Sequence, residues 1–235
     1  MKFHFKKFSI LQEKSAMKVG TDGVLLGAWA SISQNPYAVL DIGTGTGLIA
    51  LQLAQRSNAE LIDALEIEDN AYEEAVENFE QSNWSDRLFC YHASLAEFVD
   101  EIDDKYDLII SNPPFYTDDY KSENLERNQA RFTNSLSFEE LIDSVIKLLA
   151  KDGVFSVIIP SKEEKYFTKL ALKNKLFPNR ICSVKGNSTS PIKRSLMEFS
   201  FNKSKIEYSE LTIEISRHQY TKEYIELVKD FYIKM

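Results

Sequence analysis

From residue 37 onward the apolar positions of this chain follow two alternating rhythms. Short runs of apolar, largely β-forming residues, Tyr37-Ala-Val-Leu-Asp-Ile42, Leu61 to Ile67, Leu88 to His92, Tyr106 to Ser111 and Val154 to Ile159, each have the length of one buried strand. Between them, apolar residues recur at helical spacing over Leu48 to Arg56, Asn70 to Ser82, Phe138 to Ala150 and Glu163 to Lys173. Strand and helix in alternation predict a parallel sheet covered on both faces. Ser137-x-x-Glu140 and Ser161-x-x-Glu164 place a hydroxyl and a carboxylate where they can satisfy the first free N–H groups of two of these helices. After Phe177 the rhythm changes to strand-like runs at Arg180 to Val184, Leu196 to Phe201 and Leu211 to Ile215, followed by a helix over Lys222 to Tyr232. The predicted fold class is α/β: a doubly wound, mostly parallel, seven-stranded, Rossmann-like sheet with an antiparallel C-terminal edge. No repeat, low-complexity tract or Pro/Gly/Ser linker interrupts it. Residues 1–235 are therefore expected to form one domain, with 1–33 an N-terminal extension packed on it.

Composition narrows the picture. A chain of 235 residues with 43% hydrophobic content can bury a proper core. No apolar run reaches the roughly 18 residues that span a bilayer, and the first ten residues alternate Phe3, Phe5 and Phe8 with lysines and a histidine; a cytoplasmic protein is expected. Cys90 and Cys182 lie in separate strand-like runs with no metal-ligand spacing, and read as reduced core residues. His4, His92 and His218 show no partner at catalytic spacing and read as non-catalytic. The net charge of −8 means that any nucleic acid must meet a local basic patch.

Two motifs carry chemistry. Asp41-Ile-Gly43-Thr-Gly45-Thr-Gly47 follows one strand and opens a helix, so the backbone turns where a small ligand can approach a helix N-terminus closely. The dinucleotide form G-x-G-x-x-G needs a small residue at position 48, where this chain has Leu48; G-x-G-x-G after an acid suits S-adenosylmethionine instead. Glu66, ending the next strand, is placed to accept from the ribose hydroxyls. A likeness to S-adenosylmethionine-dependent methyltransferases, in which the acid before the glycines lies near the methionine amino group, implies that role for Asp41. Asn112-Pro113-Pro114-Phe115 stands at the carboxyl end of the Tyr106 strand, the edge where open α/β sheets bind ligands.

These four residues suit methyl transfer to an aromatic amine, whose lone pair is delocalised into its ring. Hydrogen bonds accepted from its N–H groups localise that pair toward the methyl donor. The Asn112 side-chain oxygen and the Pro113 carbonyl supply acceptors, and Phe115 offers a stacking face for adenine. No metal is needed.

The residues resemble the bacterial valine tRNA (adenine-37-N6)-methyltransferases. The resemblance rests on Met17-Lys-Val-Gly-Thr-Asp-Gly-Val-Leu-Leu-Gly-Ala-Trp29, the two motifs above, and Tyr220-Thr-Lys-Glu-Tyr-Ile-Glu-Leu-Val-Lys-Asp-Phe-Tyr232. It implies that Lys18, Thr21 and Asp22 lie over the donor pocket; read without it, Thr21-Asp22-Gly23 is a helix cap. Methyltransferases of this class commonly carry an acid after the third strand to accept from the donor's adenine, and here Ser94 stands in that place. The implied partner is the single-stranded anticodon loop of a tRNA, with no obligate protein partner. Residues 116–135, with Lys121, Arg127 and Arg131, are a candidate cover over the target base. Lys2, Lys6, Lys7, Lys14 and Lys18, with Lys185, Lys193 and Arg194, form two candidate RNA-binding groups. Two alternatives stay open. One is methylation of a glutamine side-chain nitrogen on a translation factor, which poses the same lone-pair problem; the other is a non-catalytic RNA-binding protein of the same fold. A dehydrogenase is disfavoured by Leu48.

Overall fold

A computed structural model describes residues 2–114 and 136–235. Its centre is a sheet in which the five strands from one edge inward are all parallel, in the order β5 (Leu88–His92), β4 (Leu61–Glu66), β3 (Ala38–Ile42), β6 (Tyr106–Ser111), β7 (Leu149–Pro160). Every residue of β3 is buried, as a central strand covered on both faces must be. Beyond β7 come β9 (Ile192–Ser200), antiparallel to both its neighbours, and β8 (Phe177–Asn187), which complete seven strands. Among the described residues the sheet has two more: β10 (Glu207–Ser216) and the two-residue β11 (Gln219–Tyr220). β10 pairs parallel to β8, which the sequence pattern did not indicate. β9 ends beside the start of β8, so a six-residue link returns the chain to the edge from which β8 itself departs.

Two apolar layers cover the sheet. On one face lie α1 (Thr21–Trp29), α2 (Leu48–Arg56), α3 (Asp69–Glu80) and α7 (Lys222–Val228), through Val24, Leu25, Ile49, Leu53, Phe79 and Val228. On the other lie α4 (Leu95–Glu101), α5 (Phe138–Leu148) and α6 (Glu164–Lys173), through Phe98, Leu141, Val145, Phe167 and Ala171. Ser137 and Glu140 form the expected reciprocal cap of α5. The Ser161-x-x-Glu164 expectation is corrected: Ser161 opens a 3₁₀ turn and donates to the Ile192 carbonyl, while Glu164 accepts from Ser195. Both groups tie the end of β7 to β9 instead of capping α6.

Two short strands, β1 (Lys2–His4) and β2 (Ser9–Leu11), form an antiparallel hairpin ahead of the sheet. Phe5, Phe8 and Ile10 are buried in the same apolar layer as α1 and α2. Two buried polar side chains of α3 fix this segment. Asn78 accepts from Leu11 N and donates to Leu11 O and to Thr46 O, joining β2 to the glycine loop. Glu74 accepts from the backbone N–H groups of Glu13, Lys14 and Ser15 and from the Ser15 hydroxyl. Burial alone would push its carboxyl up, but these bonds outweigh that and hold it below the ordinary glutamate range. Glu74→Ala leaves three N–H groups without their acceptor, at about 1–3 kcal/mol for each that water does not recover. The expected net loss is about 3 kcal/mol, read as a fall of roughly 6–12 °C in Tm, with faster proteolysis between residues 13 and 20. A variant that melts like the wild type would show that the segment is held by its phenylalanines alone.

Candidate functional site

Because β3 is the first strand of the parallel set and β4 and β6 flank it on opposite sides, the order of strand addition reverses there and opens a crevice at the carboxyl ends. The glycine loop leaves β3 into that crevice, and Asn112-Pro113-Pro114 leaves β6. Ile42 and Ser111 lie side by side in register, and the buried Ser111 hydroxyl donates to the Ile42 carbonyl at 2.9 Å. The two motifs thus start from adjacent, mutually bonded residues.

The loop needs its glycines. Gly43, Gly45 and Gly47 have φ of 71°, 58° and 81°, in the left-handed region that other residues enter at a cost. At Gly47 a Cβ would meet the Phe79 ring at 2.5 Å. At Gly43 and Gly45 a Cβ would meet nothing within 4 Å, so both backbones face open space. The loop is closed from below by Gly43 N and Thr44 N, which donate to Leu65 O at 3.0 and 2.9 Å.

Asp41 is fully buried at the base of this loop. One carboxylate oxygen, Oδ2, accepts from the Thr44 hydroxyl at 2.6 Å and from Ala50 N at 3.2 Å; the other, Oδ1, is buried with no partner among the described residues. Burial, opposed by those two bonds, pushes the carboxyl up to about 7. A buried acceptor left open is costly unless something fills it, and a cationic amino group suits it. Glu66 is half-buried at the end of β4. Its Oε2 accepts from Gly45 N at 2.8 Å and its Oε1 from Ile67 N and Glu68 N at 2.9 Å. A carboxylate has about four acceptor directions, so roughly one is left for a ligand hydroxyl in this arrangement.

Of the N-terminal residues Lys18, Thr21 and Asp22, Asp22 is tied to this edge through Arg194. Gly23 packs so closely on Leu48, the first residue after the glycine loop, that an added Cβ would come within 3.1 Å of it. Thr21 is exposed at the start of α1, whose N-cap is Gly20 with no side-chain bond, so the cap expected from Thr21-Asp22-Gly23 is not formed. Asp22 instead pairs with Arg194 at 2.7 Å, across to β9 where Arg194 faces Pro160. Lys18 is exposed just before the helix.

Asn112 is half-buried, Pro113 buried and Pro114 half-buried. The Asn112 amide makes no hydrogen bond among the described residues, so its oxygen is available to a substrate. Phe115 lies outside the described residues, as do Lys121, Arg127 and Arg131. Ser94 caps α4: it donates its hydroxyl to Glu97 at 2.7 Å and accepts from Glu97 N at 3.2 Å. Only part of its acceptor capacity remains for a ligand.

Several neighbours of the site carried no sequence signal. Thr44, Asn78 and Ser111 act through hydrogen bonds that only the fold creates. His92, read as lacking a partner, has its Nε2 3.0 Å from Asp69 and stacks on Tyr72 at 4.8 Å, beside the exposed Ile67. Both cysteines are free thiols, and burial pushes Cys90 up to about 12. Three members of the two candidate basic groups are neutralised by ion pairs, whereas Lys7, Lys18 and Lys193 are exposed with no ion-pair partner among the described residues. Lys14 pairs with Glu73, Lys185 with Glu210 and Arg194 with Asp22, while Lys6 donates to the carbonyls of Lys229 and Met235. Among the described residues no group of three His, Cys, Asp or Glu could hold a metal, and no helix is long and apolar enough to cross a membrane.

Known proteins resemble this architecture at two levels. The sheet and its helices superpose on an Agrobacterium tumefaciens protein described as a predicted O-methyltransferase, with a TM-score of 0.68 and 17% identity over 89% of this chain and 96% of that one. A ribosomal protein L11 methylase from Lactobacillus delbrueckii gives a TM-score of 0.53 and 18% identity over 76% of each chain. Residues 24–177 match the Methyltransferase small domain family. In sequence, the tRNA1(Val) (adenine(37)-N6)-methyltransferase of Christiangramia forsetii is 60% identical over 99% of this chain and 98% of its own length. The protein of the same name from Flavobacterium johnsoniae is 59% identical over 99% and 100%. With that identity over nearly its whole length, and with the glycine loop and Asn-Pro-Pro motif set side by side at one sheet edge, the chain belongs to the tRNA1(Val) (adenine(37)-N6)-methyltransferase family.

Proposed function

We propose that this protein transfers a methyl group from S-adenosylmethionine to N6 of adenine 37, beside the anticodon of a valine tRNA. The observation that carries the reading is the juxtaposition of an open glycine cradle with an unengaged asparagine amide, fixed by the Ser111–Ile42 bond. The names of relatives at 59–60% identity support the substrate. They favour it over glutamine methylation or a non-catalytic RNA-binding role.

When bound, S-adenosylmethionine supplies an electrophilic methyl group on a sulfonium. The residues present fit it: the open Asp41 oxygen suits the amino group, Glu66 a ribose hydroxyl, and the uncrowded Gly43 and Gly45 backbones the close approach of its body. Lys18, Thr21 and Asp22 close the pocket from the N-terminal side, and Ser94 offers its remaining lone pair toward the adenine. Asn112 Oδ1 and the Pro113 carbonyl accept from the target N6 amino group and aim its lone pair at the methyl carbon; Pro114 stiffens the turn. Phe115, next in sequence, stacks on the flipped base. Holding N6 in line at about 3–3.5 Å supplies the largest share of the rate, up to about 7–11 kcal/mol. The proton leaves the product amine to solvent, so no strong base is required.

Two outcomes test this reading. Asn112→Ala removes an acceptor whose bond to N6 strengthens as positive charge develops there in the transition state, so single-turnover transfer to unmodified tRNA falls about 10²-fold or more while donor affinity holds and tRNA affinity changes little. Transfer at the wild-type rate would remove Asn112 from the mechanism. The second concerns pH. Asp41 sits near 7 in the protein without donor, and only its ionised form attracts the donor's ammonium. Donor affinity measured by calorimetry therefore rises with pH through the region around pH 7 and levels off about one unit above it, near pH 8. Asp41→Asn binds more weakly and flattens the profile; a flat wild-type profile would place the amino group elsewhere.

A further inference from the structure

A polyanionic substrate is at odds with a net charge of −8 and with Lys14, Lys185 and Arg194 spent on internal pairs. The helix that follows β7 carries a regular row of cations that are not so spent. Lys165, Lys169 and Lys173 recur at intervals of four along α6, and at about 100° per residue they fall within an arc of roughly 80°. All three are exposed, as is Lys162 in the 3₁₀ turn just before the helix. None of the four has an ion-pair partner among the described residues. Phe167 and Ala171, on the opposite side, are buried in the sheet-facing layer, so the lysine row is held outward by packing. The acids of this helix point to other work: Glu164 accepts from Ser195, and Glu139 of the adjacent helix is engaged by the Tyr166 hydroxyl. Tyr166, 46% exposed, adds an aromatic face beside the row.

Its placement connects the row to the site. β7 lies next to β6, and the chain turns from Pro160 into Lys162 at the same carboxyl edge that carries Asn112. The Ser161 hydroxyl, bonded to Ile192 O at 2.8 Å, holds that turn against the start of β9, beside the exposed Lys193. From there α6 runs back along the sheet, so the lysines extend from the catalytic edge for about 16 Å, in steps of about 6 Å.

We infer that Lys162, Lys165, Lys169 and Lys173 form the track that binds the phosphate backbone of the substrate RNA where it leaves the catalytic edge. The inference rests on the tRNA reading above and adds to it the surface and chemistry of contact: one strand of RNA backbone, gripped without regard to sequence, on the face of the sheet that carries α6. Neutralising the cations one at a time should then weaken binding in increments that salt reveals, since each phosphate contact contributes about 0.7–0.9 to the slope of log affinity against log salt.

The test is fluorescence anisotropy with unmodified valine tRNA over 50–250 mM salt. With Lys165, Lys169 and Lys173 all changed to Gln, the slope falls by roughly 2–3 and affinity near 150 mM falls at least tenfold. KM for tRNA rises in step, kcat at saturating tRNA is unchanged, and donor affinity is unchanged. The triple Lys→Arg variant keeps the wild-type slope, which separates charge from a structural effect of the substitutions. A Gln variant with the wild-type slope would overturn the track. If the wild-type enzyme methylated no tRNA, the functional reading would fall on that result, while the track would still be decided by the slope.

Discussion

Burying a carboxylate with no exposed surface, as β3 does with Asp41, is costly, and much of the catalytic edge is arranged around it. Thr44 and Ala50 N satisfy one oxygen only because the chain turns back sharply over the aspartate, and that turn demands left-handed glycines at three alternate positions. The turn in turn presents Gly45 N to Glu66 and sends Gly43 N and Thr44 N to the end of β4. One buried charge therefore couples the loop to two strands. The oxygen left without a partner is a cost in the protein alone, and it turns into affinity when a cation arrives.

The rest of the edge is built by reaching toward this loop from distant parts of the chain. Asn78 bridges it to β2, Glu74 fixes residues 13–15, and the start of α1 is thereby packed against Leu48. Asp22 then meets Arg194 from the far side of the sheet, so the N-terminal segment spans from the donor side to β9. Ser111 does the same for the Asn-Pro-Pro turn through one bond to Ile42. Charge follows a separate logic. Lys14, Lys185 and Arg194 are used for internal cohesion, whereas Lys7, Lys18, Lys193 and the row on α6 are left to solvent.

The parallel sheet was legible because buried central strands and amphipathic helices leave strong periodic signals, and β3 to β7 fall within a few residues of the runs that marked them. The edges were less so. β8 and β10 extend several residues beyond their apolar runs because backbone pairing, not burial, continues them. The capping pairs show the limit of local reading. Ser137 and Glu140 cap their helix, whereas Ser161 and Glu164, with the same spacing, found better partners on β9. Ser94, singled out for a ligand, also caps α4 through Glu97, a role its spacing to Glu97 matches. Asp41, Glu66, the glycines and Asn112 could be named from spacing alone. The residues that set their geometry, Thr44, Asn78 and Ser111, could not, because each acts across a contact between segments far apart in sequence or within a turn only the fold defines.

The central claim is that this edge, loop and amide together, modifies one atom of one RNA base. Nucleoside mass spectrometry on valine tRNA purified from a strain lacking this gene, and from the same strain with the gene restored, addresses it most directly. The account predicts that N6-methyladenosine at position 37 is absent from the first and present in the second. N6-methylation at that position persisting without the gene, or a different nucleoside lost in its place, would contradict it.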